Sequence, residues 1–187
     1  MFKIIRLSLL MIVLCGIAYP LAMIGLAQTI FPDQANGSLV TNEEGKVIGS
    51  ELIGQNFKRP EFFQGRVSSI ENNGAATGSN NYAPSNEDML KRTEASIKAL
   101  KKENSRTETN EMPVDLVTNS GSGLDPHISV EAAEFQIDRV SKASGLRRKE
   151  LRAIIDKSME KRDLGLFGEE RVNVLLLNMN VQEAMRK

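Results

Sequence analysis

Histidine and cysteine occur once each among the 187 residues, tryptophan is absent and tyrosine occurs twice. A single cysteine forms no internal disulfide, and a single histidine rules out metal centres built from several imidazoles. So few large aromatics leave little for bases or sugars to stack on. Charge of one sign is missing too: 24 basic and 24 acidic side chains give a formal net charge of +0. That balance argues against a nucleic-acid binder working through a broad basic field, and against an acidic disordered tail. No Walker P-loop, no Gly-x-Gly-x-x-Gly and no Gly-x-Ser-x-Gly occurs. The sequence therefore specifies no phosphate cradle, no dinucleotide fingerprint and no lipase-type elbow.

What the chain does have is one long apolar run. No charged residue occurs from Leu7 to Pro32. A helix over 7–30, at about 1.5 Å per residue, reaches roughly 36 Å and clears a hydrocarbon core of about 30 Å. Lys3 and Arg6 precede the run, whereas Asp33, Glu43 and Glu44 follow it with Lys46 as the only nearby cation. This asymmetry predicts a single-pass protein of the inner or plasma membrane, with a cytoplasmic N-terminus and an extracytoplasmic domain over 33–187. A cleaved signal peptide is the competing reading, since Gly25-Leu26-Ala27 offers small residues at a cleavage site. Against it, the run outlasts the about 7–15 residues of a signal h-region. Pro20 is no objection, because membrane helices tolerate proline.

Within the span, Ala18, Ala22, Gly25 and Thr29 fall on one narrow face at 100° per residue. Small residues so spaced let a partner helix approach closely. The alternative is that alanine and glycine are simply common in membrane helices.

The part after Pro32, about 155 residues with a net charge near −2, contains no cysteine and must rely on a packed core. Residues 38–50 predict a β-hairpin with its turn at 42–45. Residues 51–66, with three Phe and a Pro, suggest a compact element folding back onto that hairpin. The Asn/Gly/Ser-rich stretch 71–86 predicts a long loop. Ser85 and Asp88 resemble a capping pair for a helix over 86–103 that turns Met89, Thr93, Ile97 and Leu100 inward. After a polar stretch, 104–111, residues 113–118 predict a strand and 119–128 a loop. Ser129 caps a helix with Ala132, Ala133, Phe135 (or Gln136), Ile137 and Val140 inward, ending at Gly145. A further helix over 147–162 carries Leu151, Ile154, Ile155 and Met159. Residues 171–178 predict a buried strand, and the tail is ambiguous between a short helix and a frayed end. The fold class is α/β (or α+β): one N-terminal transmembrane helix, then one mixed exported domain.

Ser120, Ser122, Asp125 and His127 gather the ingredients of a serine hydrolase in one short loop. A triad needs serine and imidazole within about 3 Å, usually from distant segments, and eight consecutive residues do not readily reach that geometry. The structural alternative is that Asp125 and His127 bond to a tight Gly-rich turn ahead of the Ser129 cap; an interface contact lies between the two. An exported, membrane-anchored hydrolase using Ser120 or Ser122 with His127 thus stays open.

Five segments occur together and in order: Phe31–Leu39, Gly49–Gln55, Pro113–Thr118, the block Ser120-Gly-Ser-Gly-Leu-Asp-Pro-His-Ile-Ser129, and Arg171-Val-Asn-Val174. With the single span, they closely resemble the family of C subunits of the bacterial potassium-transporting Kdp ATPase over nearly the whole chain. The resemblance implies an accessory, non-catalytic subunit, needed for assembly and potassium uptake beside a pore-forming subunit and a P-type ATPase subunit. It also implies a catalytic-chaperone role that raises the nucleotide affinity of the ATPase subunit, so that ATP enters only through the complex. In the family that role is tied to a Ser-Gly-Gly-Ser-Asn stretch; here the counterpart is Ala76-Thr77-Gly78-Ser79-Asn80, which keeps Gly78, Ser79 and Asn80. No catalytic residue, metal or nucleic-acid partner follows from the resemblance.

Overall fold

The computed structural model of the chain describes residues 1–42, 44–76, 78–104 and 112–186. It falls into two compact units, Met1–Ser50 and Glu51–Lys187. Residues 43, 77, 105–111 and 187 lie outside the described residues, and with them fall one residue of the expected hairpin turn and most of the expected polar stretch 104–111.

The first unit opens with α1 (Phe2–Val13), a π-helical segment (Leu14–Ala18) and α2 (Tyr19–Ile30), which run on as one 29-residue helix. Pro20 has no N–H to offer the carbonyl four residues back, and its ring crowds that carbonyl. The turn before it accordingly widens to π, and the helix continues. A four-residue helix α3 (Pro32–Ala35) follows, then the antiparallel strands β1 (Leu39–Thr41) and β2 (Val47–Ser50). Asn42 builds their turn: its Oδ1 accepts from Glu44 N at 3.1 Å and Lys46 N at 2.9 Å, and Gly45 takes a left-handed φ of 75°.

The second unit holds α4 (Glu87–Glu103), β3 (His127–Ser129), α5 (Val130–Ser144), α6 (Arg148–Ser158), β4 (Met159–Glu160), β5 (Arg171–Asn173) and α7 (Val174–Arg186). The three short strands form an antiparallel sheet in the order β3-β5-β4. Behind it, Phe135, Ile137 and Val140 of α5, Leu151 and Ile155 of α6, and Leu177 and Val181 of α7 share one buried core. The class expected from sequence, mixed α/β behind one long apolar N-terminal helix, is the class observed.

Ser129 caps α5 by accepting from Ala132 N at 3.0 Å, and Gly145 ends it with φ 78°, as its local chemistry predicts. Several boundaries differ from expectation. The cap of α4 is Asn86, not Ser85; its Oδ1 takes the N–H groups of Asp88 and Met89. Residues 113–118 are not a strand: Val114–Leu116 is a 3-10 turn, with Thr118 Oγ1 bonded back to Val114 O at 2.8 Å. The expected loop 119–128 already enters β3 at His127. The helix expected over 147–162 stops at Ser158, and Met159–Glu160 joins the sheet. In the run 171–178 only the first three residues are strand. Asn173 Oδ1 accepts from Leu175 N at 3.1 Å and Leu176 N at 3.3 Å, which starts α7 there.

Residues 51–66 contain no helix or strand, yet Phe63 is wholly buried. Their backbone is satisfied instead by buried side chains. Asn178 accepts from Phe63 N at 2.7 Å and donates to Phe63 O at 2.9 Å. Gln136 does the same for Gln64, at 2.8 and 3.1 Å. Arg139 donates to Pro60 O at 2.7 Å and Phe62 O at 2.9 Å. Replacing Asn178 by Leu leaves a buried N–H and C=O unpaired, each costing about 1–3 kcal/mol. The expected outcome in urea unfolding is a loss of about 2–5 kcal/mol, larger than any effect of an exposed Gln182→Leu control on the same helix.

Candidate functional site

The Ser/Gly/Asp/Pro/His block is tied down from several sides. Three successive carbonyls, those of Ser122, Gly123 and Leu124, accept from Gly78 N at 2.9 Å, Ser68 Oγ at 2.6 Å and Gly54 N at 2.7 Å. Ser120, nearly fully buried, donates its N–H to Val67 O. Gly123 has no substitute here. Its φ is +72°, and a Cβ would stand 2.8 Å from Ile70 Cγ1 and 2.9 Å from Gly78 O. The fold thus brings Gly78, one of the residues of the nucleotide-like stretch, against the block. Asn80 turns to Tyr82, its Nδ2 2.8 Å from the hydroxyl.

Beyond the block runs a chain of alternating charge. Arg66 Nη1 lies 3.0 Å from Asp125 Oδ2, and Asp125 Oδ1 accepts from the backbone N–H of His127 at 3.0 Å. The His127 ring sits between two carboxylates, with Nδ1 3.5 Å from Asp125 Oδ1 and Nε2 3.2 Å from Glu160 Oε1. The first separation is a charge contact; the second is within hydrogen-bond reach. Glu160 Oε2 then meets Arg171 Nε at 2.9 Å. β3 and β4 flank β5, so the imidazole ties the two outer strands together across the central one.

The electrostatics follow from this order. The His127 ring, its backbone N–H and Arg66 outweigh partial burial and hold the Asp125 carboxyl down at about 2. Pairing with Asp125, aided by Glu160, raises the imidazole above its ordinary value against the pull of burial. Burial pushes Glu160 up, but Arg171 and His127 together bring it below the usual carboxylate value. Both imidazole nitrogens are turned to carboxylates, while Ser122 Oγ accepts from Leu124 N at 3.1 Å. The Ser–His pairing that the hydrolase alternative requires is not among the hydrogen bonds of the described residues in this loop. No cluster of three or more His, Cys, Asp or Glu residues positioned for a metal occurs among the described residues.

On the N-terminal helix, Ala22, Gly25 and Thr29 all lie in α2 and Ala18 closes the π segment. Thr29 Oγ1 donates to Gly25 O at 2.7 Å, so its hydroxyl is satisfied within the helix and the residue presents a small, capped surface. Arg66 and Glu160 were not singled out by the sequence, and Arg171 only as the start of a family-like segment. They are far from the block in the chain; the pairing Ser129↔Arg171 between β3 and β5 brings Arg171 beside it, and the pairing Glu160↔Arg171 between β4 and β5 adds Glu160.

Fold and site together define a class: a mixed α/β chain that follows one membrane-length helix and in which a polar cluster ties loops and strands to one another. The family model for KdpC, the K+-transporting ATPase c chain, matches residues 1–183. Potassium-transporting ATPase KdpC subunits of Bacillus cereus, Bacillus mycoides and Bacillus anthracis are 55%, 53% and 53% identical to it, each over 98% of this chain and 95% of the relative. The chain belongs to the KdpC family.

The charge chain has a definite pH signature. A raised imidazole pKa contributes stability that is complete below the ordinary value of 6.5 and is lost as pH rises through the folded midpoint. The lowered Asp125 carboxyl contributes above 3.8 and fails only as pH falls towards about 2. Thermal unfolding should therefore show the largest gap between wild type and His127→Gln from pH 4 to 6, narrowing towards pH 9 (intervals set by these shifts). A gap that widens with rising pH would contradict the pairing.

Proposed function

We propose that the chain is the accessory subunit of a potassium-transporting ATPase, retained in the membrane by its N-terminal helix and needed to assemble and stabilise the complex for potassium uptake. The observation that carries this is the 29-residue helix, long and apolar enough to cross a membrane, which holds no buried residue. Its exposed Leu, Ile and Val side chains each favour insertion by about 0.3–0.6 kcal/mol at mid-membrane. Charge favours one orientation: Lys3 and Arg6 in the cytoplasm, and 33–187 outside as an extracytoplasmic domain.

In this reading the helix packs beside the pore-forming and P-type ATPase subunits through Ala18, Ala22, Gly25 and Thr29, and the folded part sits over the outer mouth of the pathway. A net charge near −2 after Pro32 is too small to concentrate potassium, so the domain docks and does not steer. The block from Ser120 to His127 serves as the brace that keeps the domain in one shape for docking. A nucleotide-affinity role has less support, because Gly78 N already donates to Ser122 O and Asn80 to Tyr82.

Two measurements test this. Protease added to sealed right-side-out vesicles should digest the chain beyond Pro32; full protection would refute the orientation. Affinity-tagged full chain, solubilised with its complex in detergent, should retain the two larger subunits. Ala22→Leu with Gly25→Leu fills the small face, keeps the partner backbone at a distance and should weaken that retention about tenfold, equivalent to about 1.4 kcal/mol. Unchanged retention would remove the packing face from the proposal.

A further inference from the structure

The connection between β4 and β5 ends in an apolar tip that none of the described residues covers. Leu164, Leu166 and Phe167 are 93%, 76% and 63% exposed within four consecutive residues. Single exposed hydrophobics are ordinary, but three large ones on one turn form a patch. The turn is built, not slack. Asp163 N donates to Phe167 O at 2.8 Å, Phe167 N returns to Asp163 O at 3.0 Å, and Gly165 N reaches Arg162 O at 3.0 Å. Leu164 sits at φ +54°, a left-handed backbone that Gly or Asn adopts freely and leucine does not. Holding a leucine there, between Asp163 and Gly165, projects an apolar side chain at the cost of a disfavoured backbone.

Charge around the tip says what kind of surface it fits. Asp163, Glu169 and Glu170 outnumber Lys161 and Arg162 along the turn. The groove at its base is lined by Ser129, Val130, Glu131, Arg162, Glu169 and Glu170, three carboxylates to one guanidinium. Segments that lie on membrane surfaces carry Lys and Arg beside their apolar side chains. An acidic collar is therefore wrong for insertion into lipid and right for a protein socket with a cationic rim.

We propose that Leu164, Leu166 and Phe167 form the anchor by which this chain docks into an apolar, cation-rimmed socket on the outer face of a partner subunit of the transport ATPase. The proposal rests on the subunit reading above and adds the docking residues and the chemistry of the receiving surface. Because the turn is already hydrogen-bonded in the free chain, little ordering remains to be done on binding. Apolar anchors of this kind, surrounded by polar contacts that exclude water, carry most of the affinity of an interface.

The test uses the full chain in membranes that also contain the other subunits. A photo-reactive benzophenone amino acid replaces Phe167, or exposed Lys149 as the control. Position 167 should give protein adducts with one partner subunit at least about tenfold above the control, as expected of an anchor at an interface centre. Adducts with lipid alone, or none, would overturn the proposal. In parallel, Leu166→Ser with Phe167→Ser should lower retention of the partner subunits by about tenfold or more and leave the unfolding midpoint of the chain unchanged. Retention equal to wild type also overturns it. If wild-type chain itself retains no partner, the subunit reading fails first and this inference with it.

Discussion

Three buried polar side chains on two helices do the work that a strand ladder does elsewhere. Asn178 and Gln136 each offer an amide to both backbone groups of one residue, Phe63 and Gln64, and Arg139 takes the carbonyls of Pro60 and Phe62. A backbone segment buried without such partners would carry unpaired N–H and C=O groups. With them, residues 60–64 lie against α5 and α7 without secondary structure of their own. Arg139 is itself buried, which lowers its pKa, and it stays tolerable because its donors reach Asn104 and Gln136 as well.

From that brace the rest of the second unit follows in sequence. Fixing Gln64 fixes Arg66, whose guanidinium meets Asp125. Asp125 and its neighbours hold the loop that leads into β3, and His127 carries the linkage across to Glu160 and Arg171 at the root of the apolar turn. Partly exposed ion pairs of this kind contribute little one by one. Their value here is geometric, since alternating charges admit one arrangement of the loop and the outer strands. A shape held this firmly suits a docking module, and the proposed function asks for nothing more chemical.

Much of the fold was legible where the deciding chemistry is local. The β1–β2 turn, the Ser129 cap and the left-handed Gly145 need only their immediate neighbours. Where the chain misled, a side chain had been committed elsewhere. The run 171–178 is apolar throughout, and periodicity cannot separate a buried strand from a buried helix of that length. Asn173 decides it by capping α7. Residues 113–118 look extended until Asp115 is seen to accept the Ser129 N–H at 2.7 Å, which fixes the 3-10 turn against the start of β3. The Ser120–His127 block stands out in the sequence, but its charged partners come from β4, β5 and the irregular strip at Arg66, which no local pattern links. By helical spacing Phe135 and Gln136 are alternatives for one inward position; both are buried, because α5 is surrounded on more than one side.

What ties structure to function is the fate of the N-terminal helix. A chain that keeps it is a tethered subunit, and one that loses it is a free exported domain with no route to a partner inside the bilayer. Intact-mass measurement of the mature chain purified from cell membranes separates the two. A permanent tether gives the mass of the uncleaved polypeptide, allowing only for processing at Met1, in material that stays with the membrane through alkaline washing. A mass corresponding to a chain that begins at Gln28, recovered in the soluble fraction, would contradict it.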